Sequence, residues 1–425
     1  MKVPWPEKTS LTWLLLSLSL LLLLTTKVVY TSANDFSRLF SVSSLVDHGR
    51  LWVSPVDYLN LPVDNYRVDW PIGDFIYNGQ HWYSDKPPLF QIITAGFYGL
   101  ANWLAGGQLP PPHTNYPNLS YYLLTFLLGG LPLILLCHLF YQQLKRLQLS
   151  AKTRLGFTLL LGFDSLLLPF ATVFNAHILS ALLIFIIFSL NLQSNDKKSL
   201  AAGLLTGLLI NIDPLSGFFV LLGTALFLIY HFSKQRVGAF VGGLIPGLLI
   251  LLLFNYLTTA TLLPMYLMSR LYLSLPENQW RTDLNFLPWP RLLKNYWLAL
   301  TSEHFGLLFY SPYLIFCFTN LKTKISKLVS AARFYSLIGL IYLIFIVLIT
   351  TDLGGATRGL RWSIPFIPIW LYLIASNWSG LPRPAKYLLI LTALWGLGPI
   401  ALSLTDPWRI GTSFSFINIF SQLFH

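Results

Sequence analysis

The residues best suited to chemistry in this 425-residue chain sit in one polar stretch, Thr31 to Leu89. It holds seven of the sixteen acidic residues, all aspartates: Asp35, Asp47, Asp57, Asp64, Asp69, Asp74 and Asp85. Asp35, in Asn34-Asp35-Phe36-Ser37-Arg38, closely follows an apolar run, so its carboxylate is expected at a membrane surface. There it can take a proton from an acceptor hydroxyl or amine, or stabilise positive charge developing at a sugar's anomeric carbon. The structural alternative is a helix cap, a position Asp fills well. The stretch ends in Tyr83-Ser84-Asp85-Lys86-Pro87-Pro88-Leu89. The prolines fix the backbone, and Lys86 can meet a phosphate at headgroup depth. Asp85 offers a second carboxylate, to pair with Lys86 or to bind metal. A turn with a snorkelling lysine is the alternative there.

A third piece runs from Asp352 to Trp362, with Gly354 and Gly355 before Arg358, and Gly359 between Arg358 and Arg361. Glycines let backbone amides approach an anion, and arginines supply bidentate phosphate contacts. The alternative is a glycine-rich connection whose arginines anchor span ends. Three ionisable residues fall at or in apolar runs, where they are costly and default to functional or pairing roles. His177 is expected near the end of its run, within reach of a donor phosphate. Asp213, before Pro214, is expected to cap the next helix, and Asp164 to pair internally. Glu303 and His304 stand at the start of a run on the same face. No HExxH, cysteine pair, Walker loop or Rossmann fingerprint is present, which argues against an ATP-driven pump. A divalent metal is possible but unsupported, and no other cofactor is indicated.

The elements that must position these residues are read from composition. The chain is 55% hydrophobic and 10% charged, with a mean hydropathy of +0.61. A soluble fold carries about 25% charged residues, so an all-α polytopic membrane bundle is expected. Eleven spans are drawn: Leu11–Tyr30, Leu119–Tyr141, Leu155–Phe174, Ala176–Leu192, Leu200–Ile212, Leu215–His231, Gly238–Leu257, Phe305–Phe318, Phe334–Thr350, Ser363–Ala375 and Tyr387–Leu404. With the N-terminus inside, the inner loops collect sixteen basic residues against two acids, Glu7 and Asp196, as the positive-inside rule requires. Counting Leu89–Ala105 as a further span would put the Lys145–Arg154 cluster on the wrong side. That run is therefore expected to dip into or lie along the outer leaflet. The polar regions 31–118, 258–303 and 351–362 then share the outer face of a single membrane domain, 1–425.

Within the first loop, Phe36, Leu39, Phe40, Val42, Leu45 and Val46 have helical spacing, and Gly49 is a natural stop. The +12 charge lies in short clusters between apolar runs, which does not suit nucleic acid. Cys137 and Cys317 fall inside apolar runs, so a disulfide framework is not expected. The first run is read as an uncleaved span, against a signal peptide ending near Thr31-Ser32-Ala33.

The order of these pieces resembles the GT-C integral-membrane glycosyltransferases, most of all the branch with protein mannosyltransferases and the lipid A aminoarabinose transferase. Asp35-Phe36-Ser37-Arg38-Leu39 resembles that family's Asp-Glu-x-Arg-Tyr after the first span. Gly49-Arg50-Leu51-Trp52 resembles its Gly-x-Trp step, and Tyr83 to Leu89 matches its aromatic-x-acid-Lys-Pro-Pro-Leu stretch. Asn255, Gly306 to Pro312, and Gly359-Leu360-Arg361-Trp362 with Pro365 and Pro368 resemble later landmarks. The likeness covers Leu11 to Ala375. It departs at Phe36, where the family often has a second acid, which weakens a metal-binding pair at Asp35. The large C-terminal soluble domain of some relatives has no counterpart in these residues, so acceptor recognition is expected to use outer loops or a partner.

The resemblance implies an outer-face enzyme of the cytoplasmic membrane that takes sugar from a polyprenyl-phosphate donor, with inversion, to an acceptor glycan, lipid or protein. Asp35 would be the catalytic carboxylate and Asp85 a supporting acid. Lys86 would hold the donor phosphate, with Arg361, Arg358 and His177 as further contacts. Arg38, Tyr83, Glu303 and His304 would bind acceptor or support the site. The rival expectation is a transporter or flippase of lipid-linked saccharides, which should show a repeat and interrupted helices near the midplane. No repeat is visible, and Leu200–Pro214 is the one stretch that resembles an interrupted pair.

Overall fold

The computed structural model describes residues 7–30, 32–54, 74–77, 80–114, 116–193, 195–231, 233–262, 289–319, 327–349, 357–405 and 407–408. Asp57, Asp64, Asp69 and Asp352 to Ala356 lie outside them. The chain is predominantly helical. Among the described residues five helices are long and apolar enough to cross a membrane: Leu119–Lys145, Pro214–His231, Lys234–Thr258, Ser330–Ile349 and Arg383–Thr405. Thr9–Thr25 and His177–Asn191 are shorter apolar helices. The exterior is oily. Leu20, Leu24, Leu249, Leu253, Leu391 and Leu394 are exposed, as side chains facing hydrocarbon rather than water would be.

The polar stretch folds onto one end of this bundle. Helix α2, Ala33–His48, follows the first helix α1, Glu7–Thr25, and stops where Gly49 takes a left-handed conformation. Its spacing was legible, with Phe36, Leu39, Phe40 and Val42 buried. The strands β1, Phe75–Tyr77, and β2, Trp82–Ser84, pair antiparallel as a small hairpin, which an all-α reading does not contain. The next helix, α3, Pro88–Leu104, packs on α2. It buries Phe90, Thr94 and Tyr98 and leaves Ile92, Phe97, Leu100 and Trp103 exposed.

Several expected spans differ from the helices that form, each for a local reason. Leu155–Phe174 is two helices, Ala151–Phe163 and Leu167–Ala171. Between them Ser165 Oγ donates to the Leu161 carbonyl at 2.7 Å, and Pro169, in the second helix, lacks the N–H that a continuous helix needs. Phe305–Phe318 is a single turn, Leu307–Tyr310, then a 3-10 helix, Pro312–Phe318. Pro312 denies Ser311 the α conformation. Ser363–Ala375 starts as a 3-10 segment, Arg361–Phe366, containing Pro365, before Ile367–Asn377. Leu200–Ile212 is longer than drawn, because Asn195 caps a helix running Asp196–Ile212. Leu119–Lys145 carries a π-helical turn at Phe126–Gly130. Cys137 and Cys317 are buried free thiols.

Asp196–Ile212 and Lys234–Thr259 pack closely. Gly203 and Gly207 face Phe240, Leu244 and Gly247 at backbone contact, the small-residue packing that lets helices approach in lipid. Asn211 Nδ2 donates to the Gly247 carbonyl at 2.7 Å. A Cβ at Gly247 would lie 2.5 Å from Gly207 Cα, whereas one at Gly238 meets nothing within 4 Å. Gly247→Ala is therefore expected to cost about 1–3 kcal/mol through overpacking. Thermal unfolding in detergent should show a lowered midpoint for Gly247→Ala and little change for Gly238→Ala.

Candidate active site

Helix ends gather where α1 finishes. The Lys27 ammonium donates to the carbonyls of Leu404 (3.2 Å) and Thr405 (2.5 Å), and its backbone N–H donates to Thr172 at 2.9 Å. At this end Ser32, not Asp35, is the N-cap of α2: its hydroxyl accepts from the Asp35 N–H. Asp35 occupies the third helical position and returns the contact, accepting the Ser32 hydroxyl on Oδ1 at 2.6 Å. Oδ2 accepts the Tyr121 O–H at 3.1 Å, and Tyr121 in turn accepts the Phe174 N–H at 3.2 Å. Asp35 is 0% exposed. Its carboxylate faces into the protein, and direct contact with a substrate would require the start of α2 to shift.

The Asp85-Lys86 turn lies beside the same helix. Ser84 Oγ donates to Ser37 Oγ at 3.3 Å and accepts the Lys86 N–H at 3.3 Å. Lys86 Nζ is held between Asp85 Oδ1 at 2.9 Å and Asp74 Oδ1 at 3.1 Å. One ammonium between two carboxylates is already more than neutralised, so a phosphate approaching Lys86 has to contend with both acids. Arg38 is the hub. Its guanidinium stands over the Phe90 ring, 5.6 Å from the centroid. Burial draws it below the usual arginine range, and the charges of Asp35, Asp74, Asp85 and Asp213 pull the other way.

Arg38 also borders a cavity of about 140 Å³, with Pro87, His177, Asp213, Tyr342 and Trp362 in its wall. His177 starts the helix His177–Asn191, its N–H held by Asn175 Oδ1 at 2.9 Å. Asp213 joins Asp196–Ile212 to Pro214–His231. It does cap the second helix, accepting the Ser216 N–H on Oδ1 at 3.3 Å. Its Oδ2 lies 3.8 Å from His177 Nδ1. Arg361 stacks on Trp408 at 5.2 Å and Trp362 at 5.7 Å and acts on His177 electrostatically, as Arg38 does.

Asp35, Arg38, Asp85, Lys86, His177 and Arg361 thus share one neighbourhood. Tyr83 is buried with Ile76, against Trp52 and Phe254. Glu303, His304 and Arg358 form a second patch that does not border the cavity. The His304 carbonyl accepts the Gly359 N–H at 2.6 Å, the Arg358 N–H donates to Pro407 at 2.8 Å, and Glu303 Oε1 lies 3.8 Å from His304 Nε2. Asp164 is apart from both patches. Its backbone carbonyl accepts the Tyr313 O–H at 2.7 Å, but its carboxylate has no hydrogen-bond partner among the described residues, contrary to the expected internal pairing. Asp74, Tyr121, Tyr342 and Trp362 escaped the sequence reading as site residues. Of these only Asp74 carries a signal, as one of the aspartates of the polar stretch, and Asp213, an acid directly before a proline between two apolar runs, is expected to cap the next helix. Among the described residues no three His, Cys, Asp or Glu side chains converge as a metal site needs.

No protein-family model matches the chain, and no curated protein matches it.

The helix that carries Asp35 and Arg38 is buttressed by His113, which follows the triple proline. His113 Nδ1 lies 2.9 Å from Ser43 Oγ, and the ring packs on Phe40 at 5.2 Å and Phe36 at 6.2 Å. Burial, helped by the charge of His48, pushes its imidazole down to about 3. In the unfolded chain it titrates near ~6.5. The unfolded state therefore binds the extra proton between these values, so stability is complete above the upper one and falls as pH drops. The unfolding free energy should fall by up to about 1.4 kcal/mol per pH unit below ~6 from this group alone. Thermal melts at pH 7 and pH 5 should show that loss in the wild type, and a smaller one in His113→Phe.

Proposed function

We propose that the chain is an integral-membrane glycosyltransferase of the GT-C kind. It transfers a sugar from a polyprenyl-phosphate donor to an acceptor glycan, lipid or protein at the outer face of the cytoplasmic membrane, with inversion. The observation that supports the reading is a cavity walled by Arg38, His177 and Asp213 at one end of an apolar bundle, with Asp35, Asp74 and Asp85 acting on Arg38, Arg361 acting on His177, and Lys86 held by Asp74 and Asp85 nearby. A lipid-linked donor keeps its tail in the bilayer, so its enzyme must bring cations and acids to a single headgroup plane. Breaking the sugar–phosphate bond leaves charge on the phosphate, and fixed cations stabilise it most where water is excluded. Arg38, on the cavity wall, is the best placed of these. Lys86 acts with its two carboxylates to hold the turn that leads into Pro87. Asp35 works through Arg38 and Tyr121, setting the field and the position of α2. The basic residues between the apolar runs, read with the positive-inside rule, favour this end of the bundle being the outer one.

Topology is tested by cysteine labelling, since both native cysteines are buried and Asp47 and Lys197 are exposed. Asp47→Cys should react with an impermeant maleimide on intact cells, and Lys197→Cys only after permeabilisation. The reverse pattern would overturn the outer-face site. The activity is tested by supplying the purified protein with decaprenyl-phosphate sugars and a membrane extract as acceptor source. Asp35→Asn should lower turnover by about 10²-fold or more while the protein still inserts and melts cooperatively. Movement of intact donor across a vesicle without loss of its sugar would instead mark a transporter.

A further inference from the structure

The cavity beside Arg38 holds a pair that glycosyl transfer through Asp35 does not use. His177 Nδ1 and Asp213 Oδ2 face each other at 3.8 Å, and each is buried without a hydrogen-bond partner among the described residues. Both ends are pinned. Asp213 accepts the Ser216 N–H on its other oxygen, and its own N–H donates to the Leu209 carbonyl at 2.8 Å. His177 is set by Asn175 and by the Phe170 ring edge-on at 6.3 Å. His177 and Asp213 both line the cavity, and with Nδ1 turned to Asp213 the ring nitrogen left for a substrate is Nε2. The other acids of this end are committed: Asp35 to Ser32 and Tyr121, Asp74 and Asp85 to Lys86. A base that is itself oriented by a carboxylate is a recurring way to prepare a proton acceptor. Separations slightly beyond hydrogen-bond length are common before substrate arrives.

We infer that His177 and Asp213 form the acid–base dyad of this site: His177 Nε2 takes the proton of the acceptor's hydroxyl or amine, and Asp213 is the positioning residue that holds the imidazole through Nδ1. The inference rests on the transferase reading above. In the step, the acceptor's oxygen or nitrogen bonds to the anomeric carbon as the bond from that carbon to the phosphate oxygen breaks. The electron pair of the broken bond leaves with the polyprenyl phosphate. The acceptor's proton ends on Nε2, and the imidazolium formed is countered by Asp213. Release of that proton to water resets the site. Arg38, which also lines the cavity, would meet the leaving phosphate. Tyr342 and Trp362 complete the wall with aromatic faces of the kind that pack against a sugar's C–H groups.

The test uses the full-length protein in vesicles, with decaprenyl-phosphate mannose, glucose, galactose and arabinose as probes and a membrane extract as acceptor source. Release of free decaprenyl phosphate is the readout. His177→Ala should lower turnover about 10²–10⁴-fold with the donor KM within about threefold of wild type, and added imidazole should restore part of the lost rate. Asp213→Asn keeps the helix cap and should lower turnover less, shifting the acidic limb of the rate profile. That limb is read against Arg38 and Arg361, the other charges facing His177. Turnover within about threefold of wild type in His177→Ala overturns the dyad. So does a loss that imidazole does not relieve, or one that falls on KM; a structural ion pair would give either. If the wild type releases decaprenyl phosphate from none of the four donors, the transferase reading itself fails, and the dyad's reaction with it.

Discussion

Every ionised group at this end of the molecule has to be matched before it can be useful. An unpaired charge beside hydrocarbon is among the most expensive things a fold can hold. Arg38 shows how the cost is met, with Asp35, Asp74, Asp85 and Asp213 all acting on it. Lys86 is met by two carboxylates. A network matched in this way resists single substitutions. Removing one member leaves the others buried and uncompensated, which costs more than the pair contributed. The charges therefore fix how α2, the Asp85-Lys86 turn and the helices starting at His177 and Pro214 meet. The cavity is what remains between them.

The helices that deliver these groups are short or broken where they do so. Asp213 and His177 stand at helix starts, Asp35 in the first turn of α2, and Arg361 opens a 3-10 segment. A continuous span would carry its polar groups past this level, or bury them in lipid. Prolines and capping residues start or interrupt the helices here instead: Pro87 and Pro214 at helix starts, Pro365 within a 3-10 segment, and Ser32 and Asn175 accepting first-turn N–H groups. The tight glycine seam between Asp196–Ile212 and Lys234–Thr259 anchors one of those ends, because Asp213 directly follows it.

Much of this was legible in the residues, and the failures share a cause. Apolar periodicity placed α2 and its stop at Gly49, because both are local signals. The expected spans failed at Asp164-Ser165, Ser311-Pro312 and Pro365, where apolar content ran on while the backbone could not stay helical. Hydropathy registers the first and is blind to the second. Long-range pairing was not legible at all. Tyr121 reaches Asp35 across 86 positions, and Asp74 finds Lys86 through the register of a hairpin only three pairs long. His177 and Asp213 were each visible as ionisable residues at span ends. Nothing in one sequence states that two helix starts face each other.

The contrast between Asp35 and His177 separates two requirements that a single carboxylate is usually asked to meet. A group that organises a buried charge network must be held by hydrogen bonds on all sides, as Asp35 is by Ser32 and Tyr121. A group that accepts a proton needs a free lone pair on the substrate side and a partner that steadies it once charged. Asp35 accepts one hydroxyl proton on each oxygen and is fully buried, so its remaining lone pairs have no open side toward a substrate. An imidazole has two nitrogens and can divide the work, one toward Asp213 and one toward the cavity. A site built this way keeps its electrostatic frame rigid while protons pass through a different residue, which is why the frame and the base need not coincide.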